Sequence, residues 1–322
     1  MQAVYHILLI LLYVLHTSAD WCYTEDSCAP GSWGSLGSCS GLRQSPVDIS
    51  TRFVQVNGSL GPLIFTNYSD KSALLALGNT GHTVEVSIGN GVTLSGGGLT
   101  STYQAVAFHF HWGSEHRLNQ KQFPMEMHVV HTKTGLSLAE AKNDSTGLAV
   151  LGVFIDVLDS ANSSHLSRLS DLLEQISVPG TRISLNSSFS LDAILGDVNR
   201  EEYYRYLGSL TTPTCEEAVV WTVLKNPLLV PARVIKAFTS NVHHNTSEGL
   251  ELLTYNFRPP QPLGSRQVLV SAVSAPKLDA STTPAANVTS SSRTTAKGHI
   301  HARSDLCLLV ATALLSLLRR SV

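Results

Sequence analysis

Charge is scarce in this chain. Of its 322 residues only 14% are Asp, Glu, Lys or Arg, against 43% hydrophobic, and the formal net charge is -2. A near-neutral chain with no basic cluster in its body has no electrostatic footprint for nucleic acid, so no nucleic-acid partner is expected. Long apolar runs are missing as well, since no stretch reaches the roughly 18 consecutive apolar residues of a membrane-spanning helix. No internal repeat is visible, and no linker interrupts the chain before about Val273. A single domain over residues 20–272 is expected, long enough to bury a sizeable core. Cysteine is sparse, with five in all. Cys307 lies in the C-terminal tail, and the other four, Cys22, Cys28, Cys39 and Cys215, allow three pairings.

The two ends carry short hydrophobic tracts. Residues 7–15 are apolar and are followed by His16-Thr17-Ser18-Ala19, the pattern of a secretory signal peptide cut after Ala19, although no Lys or Arg precedes the apolar run. At the other end a Ser/Thr/Ala-rich stretch (273–292) leads into an apolar tail at 306–318 that closes on Arg319-Arg320-Ser321-Val322. Small residues, a polar spacer and a terminal apolar tail form the signal for a lipid anchor of the GPI type. Ser290, Ser291 and Ser292 are the candidate attachment sites, and 293–322 would be the removed propeptide. A transmembrane tail is the alternative, but about 13 apolar residues fall short of the roughly 20 needed to span. N-x-[ST] sequons at Asn57, Asn67, Asn143, Asn162, Asn186, Asn245 and Asn287 agree with secretion, which in turn favours disulfides over free thiols.

What the chain does have is histidine in a telling pattern. His109-Phe110-His111 places two imidazoles on one face of a strand. His128, in the run Met125-Glu126-Met127-His128-Val129-Val130-His131, can be brought beside them by antiparallel pairing. Three neutral imidazoles leave one coordination position open, the arrangement of a catalytic zinc site rather than a closed structural one. Glu126, two residues before His128, can fix that ring by accepting from its second nitrogen.

Short alternating apolar runs recur at 63–65, 83–88, 105–111, 125–130, 148–157, 218–224 and 268–270, separated by Gly, Asn, Asp, Ser and Pro. This periodicity predicts a mainly antiparallel β protein with few helices. Helices are predicted over 164–176 and 231–240, the second with Pro231 in its first turn.

Eight words occur in order: Gln44-Ser45-Pro46-Val47-Asp48-Ile49, Asn79-Thr80-Gly81-His82, Ser95-Gly96-Gly97-Gly98-Leu99, Phe108-His109-Phe110-His111-Trp112-Gly113, Ser114-Glu115-His116, Glu126-Met127-His128-Val129-Val130-His131, Leu148-Ala149-Val150-Leu151-Gly152 and Gly208-Ser209-Leu210-Thr211-Thr212-Pro213. Together they resemble the α-class carbonic anhydrases from about Trp21 to about Ser271, and in particular the membrane-anchored extracellular branch of that family. The resemblance implies a large, twisted, mostly antiparallel central sheet with peripheral helices. It implies Zn2+ on His109, His111 and His128, and reversible hydration of CO2 to bicarbonate and a proton, with zinc-hydroxide as nucleophile. By residue match, Glu115 and Thr211 would orient the hydroxide. Thr212 with Val130, Val150, Leu210, Val219 and Trp221 would form the substrate pocket, and His82 would shuttle the proton. His116 and His131 match structural hydrogen-bonding positions, whereas His243, His244, His299 and His301 read as solvent-facing or removed with the tail. The disulfides would be Cys22–Cys28 and Cys39–Cys215, and the location would be the outer face of the plasma membrane, with bicarbonate transporters as partners.

Two departures from the family pattern stand out. Ala107 occupies the position from which a Gln would hold the His109 ring, and loss of such a partner typically costs about 10–100-fold in metal affinity or activity. The family also carries a short insert between Trp112-Gly113 and Ser114-Glu115, which is absent here, so the placement of Glu115 is open. A binding protein on the same fold is the rival class; the silent relatives of this family have replaced a zinc histidine, whereas all three are intact here.

Overall fold

The structure is a computed structural model that describes residues 21–161 and 164–272. The expected leader, stalk and tail lie outside the described residues, as do Asn162, Asn287, Ser290, Ser291, Ser292, His299 and His301.

Thirteen strands join one mixed sheet. Its centre runs Val84–Ile88, Tyr103–Trp112, Met125–Lys133, Leu148–Val157, Val219–Leu224 and Tyr203–Gly208, in that spatial order. Neighbours pair antiparallel except Leu148–Val157 with Val219–Leu224, which are parallel. The sequence explains who sits where. Leu148–Val157 is almost continuously apolar, and its residues from Leu148 to Ile155 are all buried, as a strand covered on both faces requires. In Tyr103–Trp112, alternation sends Phe108 and Phe110 to one side and His109 and His111 to the other.

Each face of the sheet supports its own apolar core. Phe108, Phe110, Met127, Val129, Leu151 and Val153 meet the helices on one side through Leu166, Ile194, Val234 and Phe238. On the other, Val150, Phe154, Tyr206, Val219, Trp221 and Val223 pack with Val47, Ile49 and Phe123. The histidines belong to this second face. Their imidazoles are therefore walled by apolar side chains, which lowers the local dielectric.

The helical predictions shift in detail. The 164–176 segment is split into an α-helix, Ser164–Ser170, and a 3-10 turn, Leu173–Ile176. The second helix runs Ala232–Asn241, with Pro231 as the extended residue before it. A short helix not expected from periodicity, Leu138–Lys142, starts with a capping box in which the Ser137 hydroxyl accepts from the Glu140 amide and Glu140 accepts from the Ser137 amide.

Disulfides join Cys22 to Cys28 and Cys39 to Cys215, as the resemblance implied. The second ties the N-terminal arm to the loop that follows Thr211 and Thr212. A small satellite core of Tyr23, Trp33 and the Cys39–Cys215 pair forms around it, with Trp21 and Leu36 against it. Among the described sequons Asn67, Asn143, Asn186 and Asn245 are exposed and Asn57 is half-buried. Among the described residues no helix is long and apolar enough to cross a membrane.

Candidate metal centre

The register of two strands assembles the site. His128 stands directly opposite His109, and Glu126 opposite His111. Directly paired residues of an antiparallel ladder share a face, so a pattern of period two on each strand brings all four side chains together. The ring centroids are 5.0 Å apart for His109 and His111, 5.3 Å for His109 and His128, and 4.6 Å for His111 and His128. One ring nitrogen from each lies within 4.8 Å of the others.

Hydrogen bonds decide which nitrogens are free. His111 Nδ1 donates to the Asn256 carbonyl at 2.7 Å. A carbonyl only accepts, so the proton sits on Nδ1, and Nε2 is left buried without a hydrogen-bond partner. His128 Nε2 lies 2.8 Å from Glu126 Oε1. Burial works to raise the Glu126 carboxyl, but His116 and His128 outweigh it and hold it well below the usual range. Glu126 is thus a carboxylate, the proton is on His128 Nε2, and Nδ1 keeps its lone pair, 3.8 Å from Glu115 Oε2. No described residue hydrogen-bonds the His109 ring, and Ala107 brings no side-chain acceptor. Burial lowers the pKa of all three imidazoles: His109 well below its ordinary value, His111 to about 4, and His128 in the same direction despite the opposing pull of Glu126. All three are therefore neutral near pH 7, the state a metal ligand requires. An orphaned buried Nε2 beside two further lone pairs is a donor set that fits zinc with one position open.

The support behind His128 is a chain of buried polar groups. Glu126 Oε2 accepts from the His116 amide at 2.8 Å, and Oε1 lies 2.7 Å from His116 Nδ1. His116 Nε2 meets the Tyr206 hydroxyl at 2.6 Å, which lies 2.9 Å from Ser45 Oγ. Two glycines make room for this chain. A Cβ on Gly152 would come 3.1 Å from Glu126 Oε1, and one on Gly208 would come 2.1 Å from Ser45 Oγ. His116, Glu126 and His128 also form a cluster of metal-capable groups. Both Glu126 oxygens are already engaged there, so the cluster serves to hold His128.

Glu115 enters the same space despite the missing insert. Gly113, with φ +42°, turns the chain straight after Trp112, and Glu115 follows fully buried. Its Oε1 accepts from the Arg258 amide at 2.8 Å. Oε2 lies 3.4 Å from His111 Nε2 and 3.8 Å from His128 Nδ1. Burial pushes the Glu115 carboxyl up to about 7, against the pull of His128, the Arg258 amide and the Thr211 side chain. Thr211 is buried beside it and Thr212 is half-buried. Of the apolar wall, Val130 and Leu210 are half-open, while Val150, Val219 and Trp221 are buried in the core of the same face. His82 lies in the bend two residues before Val84–Ile88, the strand that pairs alongside His109, and is half-buried, its ring stacked on Trp21 with centroids 4.0 Å apart and planes at 18°. His131 is buried, between the Tyr68 hydroxyl at 2.6 Å and the Ala149 carbonyl at 3.0 Å.

Two functional-site residues escape sequence reasoning. Asn256 accepts from the His111 ring through its carbonyl and from the Trp112 amide through Oδ1 at 2.8 Å, and its Nδ2 donates to the carbonyls of His82 and Phe110. Arg258, beyond its amide bond to Glu115, donates from its guanidinium to Gln44 Oε1 and to the Ser45 and Cys39 carbonyls. Both lie in an extended segment without periodicity, so nothing in the pattern marks them as buried. His244 is a correction: expected to face solvent, it is 5% exposed on the hairpin His243–Thr246/Gly249–Leu252.

Three neutral imidazoles with a carboxylate and a threonine beside them, on one face of an apolar-walled sheet, form a three-histidine group that could hold a metal ion. Comparison with known proteins identifies the family. The family model of eukaryotic-type carbonic anhydrase matches residues 28–272. Carbonic anhydrase 4 of Mus musculus is 38% identical over 280 residues, covering 82% of this chain and 89% of the relative. Carbonic anhydrase 15 of Mus musculus is 37% identical over 297 residues, covering 86% and 91%. Carbonic anhydrase 7 of Homo sapiens is 35% identical over 263 residues, covering 78% and 97%. The chain belongs to the eukaryotic-type carbonic anhydrases, enzymes of CO2 hydration.

Proposed function

We propose that this carbonic anhydrase holds zinc on His109, His111 and His128 and hydrates CO2 reversibly at the outer cell surface. The carrying observation is the pair of hydrogen bonds that puts the proton of His111 on Nδ1 and that of His128 on Nε2, leaving the other nitrogen of each ring unprotonated, in a trio of histidines with one ring nitrogen each within 4.8 Å of the others. Zinc held there would bring the pKa of water towards about 7, as is established for carbonic anhydrases generally, and so supply hydroxide for attack on CO2.

The remaining work falls to the chain's own residues. Glu115, anchored by the Arg258 amide, accepts from the Thr211 hydroxyl, so that the Thr211 oxygen is left to accept from and orient the nucleophile. Thr212 borders the same space. Val130 and Leu210 offer the apolar surface that CO2 needs, backed by Val150, Val219 and Trp221. His82, lowered from its ordinary pKa by burial and by His244, takes up the released proton and stays neutral, hence ready to accept, to a lower pH than a free imidazole. Glu126 holds the third ligand. The leader and tail read from the sequence support secretion and a GPI anchor at Ser290, Ser291 or Ser292, with bicarbonate transporters as neighbours at the membrane.

Zinc content and CO2 hydration measured on one purified sample test the reading. His111→Ala should lose most bound zinc and all hydration, and full activity in that variant would remove the metal site. A phosphatidylinositol-specific phospholipase should release the protein from cells; retention would favour the transmembrane tail.

A further inference from the structure

His82 and His244 line one cavity of about 390 Å³, together with Trp21, Tyr23 and Glu25. His82 reaches it from the bend before Val84–Ile88, held against Trp21 by ring stacking. His244 reaches it from the two-stranded hairpin, where it pairs with Glu251. Glu25 is fastened to the tip of that hairpin, accepting from the Ser247 amide at 2.7 Å. Two imidazoles thus share one cavity open to solvent, with the Glu25 carboxylate in its lining. A cavity of this size has room for water, which can bridge ring nitrogens too far apart to bond directly.

We propose that His244 is a relay group for proton release, receiving the proton from His82 and passing it to buffer at the protein surface. The inference rests on the reading of His82 as the proton acceptor. The step balances simply. His82 in its imidazolium form gives one N–H proton, through water in the cavity, to the lone pair of neutral His244. His82 is neutral again, and His244 then gives the same proton to a buffer base outside. No bond other than N–H is made or broken.

The electrostatics favour this direction. A charge on either ring disfavours charge on the other, and burial disfavours both. A proton on His82 is therefore pushed away from the pair. On the far side Glu25 and Glu251 both favour a charged His244, while its chain neighbour His243 disfavours it. Glu251 is exposed and Glu25 partly so, so the attraction lies on the side that meets solvent. The hairpin is covalently remote from the His82 strand, and its contact with the cavity gives His244 a reason to be buried on an otherwise open two-stranded ribbon.

The test is CO2 hydration by the purified enzyme across a range of imidazole buffer concentrations, for wild type, His244→Gln, His82→Ala and the double variant. His244→Gln should lower kcat at low buffer by about tenfold, less than the roughly 100–10,000-fold typical of a group that transfers the proton in the transition state itself. The loss should be confined to kcat, disappear at high buffer, and be absent in the His82→Ala background. Any simple packing fault would lower kcat/KM and persist at high buffer, and that result would overturn the relay. An equal loss from His244→Gln with and without His82 would overturn it too. If His82→Ala lowers kcat at low buffer and His244→Gln does not, the acceptor reading of His82 stands and the relay falls. If His82→Ala itself changes nothing, both fall. Titration of the His82 ring by NMR is an independent readout: its pKa should rise in His244→Gln, and an unmoved value would show that the two rings do not communicate.

Discussion

Glu126 offers the sharpest test of how the metal centre is built. Its carboxylate takes three hydrogen bonds, from the His116 amide, His116 Nδ1 and His128 Nε2, at 2.8, 2.7 and 2.8 Å. Glu126→Gln keeps the shape and removes the charge. With the amide oxygen at the Oε1 position, the new NH2 faces the His116 amide N–H. With the amide flipped, the NH2 faces two ring nitrogens that now carry protons. Either way at least one buried donor is unpaired, which costs about 1–3 kcal/mol, and the remaining bonds lose their charge assistance. The other escape is for the His128 proton to move to Nδ1, which removes the lone pair proposed for zinc. We therefore expect the metal-free variant to lose about 2–3 kcal/mol of stability. Its zinc affinity should fall about 10–100-fold, equivalent to roughly 1.4–2.7 kcal/mol. Denaturant unfolding of the metal-free protein and competition against a chelator measure the two effects separately. A variant that is destabilised but binds zinc normally would show that Glu126 supports the fold without setting the His128 tautomer. One that is unchanged in both would refute the network altogether.

His131 lies buried between Tyr68 and Ala149, and burial lowers its pKa to about 4, below the unfolded value near 6.5. Its contribution is complete above pH 6.5 and is lost as pH falls towards 4, by about 3 kcal/mol in all; His131→Gln should therefore flatten the acid limb of the urea midpoint against pH, and parallel curves would contradict the assignment. Ala107→Gln should slow zinc loss to a chelator, within the roughly 10–100-fold range of such ring-holding partners, because it adds an acceptor two residues before His109; an unchanged rate would mean that the ring is already held. Removing the Cys39–Cys215 pair as a double Ser variant opens a loop with a sequence separation of 176, worth up to about 5 kcal/mol on a chain-entropy estimate; a midpoint within error of wild type would discount that account.

The legible parts of the fold were those where period and face coincide. Tyr103–Trp112, Met125–Lys133 and Leu148–Val157 stand out because alternation or continuous apolarity persists for nine or ten residues. Leu74–Asn79 does not: its Leu/Ala-rich run carries no strand preference, and it forms by pairing with Val84–Ile88 on one side and Arg182–Ser184 on the other, with Gly78 leaving room for the Arg182 side chain, whose Cγ would stand 2.7 Å from a Cβ there. Tyr203–Gly208 was also passed over, although its three tyrosines suit a strand. The Ser137–Glu140 cap was present in the sequence as a capping box but belonged to a helix of five residues, too short to show a helical period. At the site, the histidines and Glu126 were readable because they lie two residues apart on strands. Asn256 and Arg258 were not, because an irregular segment has no period. His244 was misjudged because a polar His-His-Asn run reads as surface until the cavity behind it is seen.

Asn256 holds the site through its main chain and its side chain at once. The same side chain and carbonyl hold the ring of His111, the backbone beside it at Trp112, and the backbone of His82. In the proposed function, the strand that carries two of the metal ligands and the turn that carries the proton acceptor would therefore be fastened to one residue. A substitution there would break the side-chain bonds to the backbones of Trp112 and His82 at one stroke, yet keep the main-chain carbonyl that takes the His111 proton.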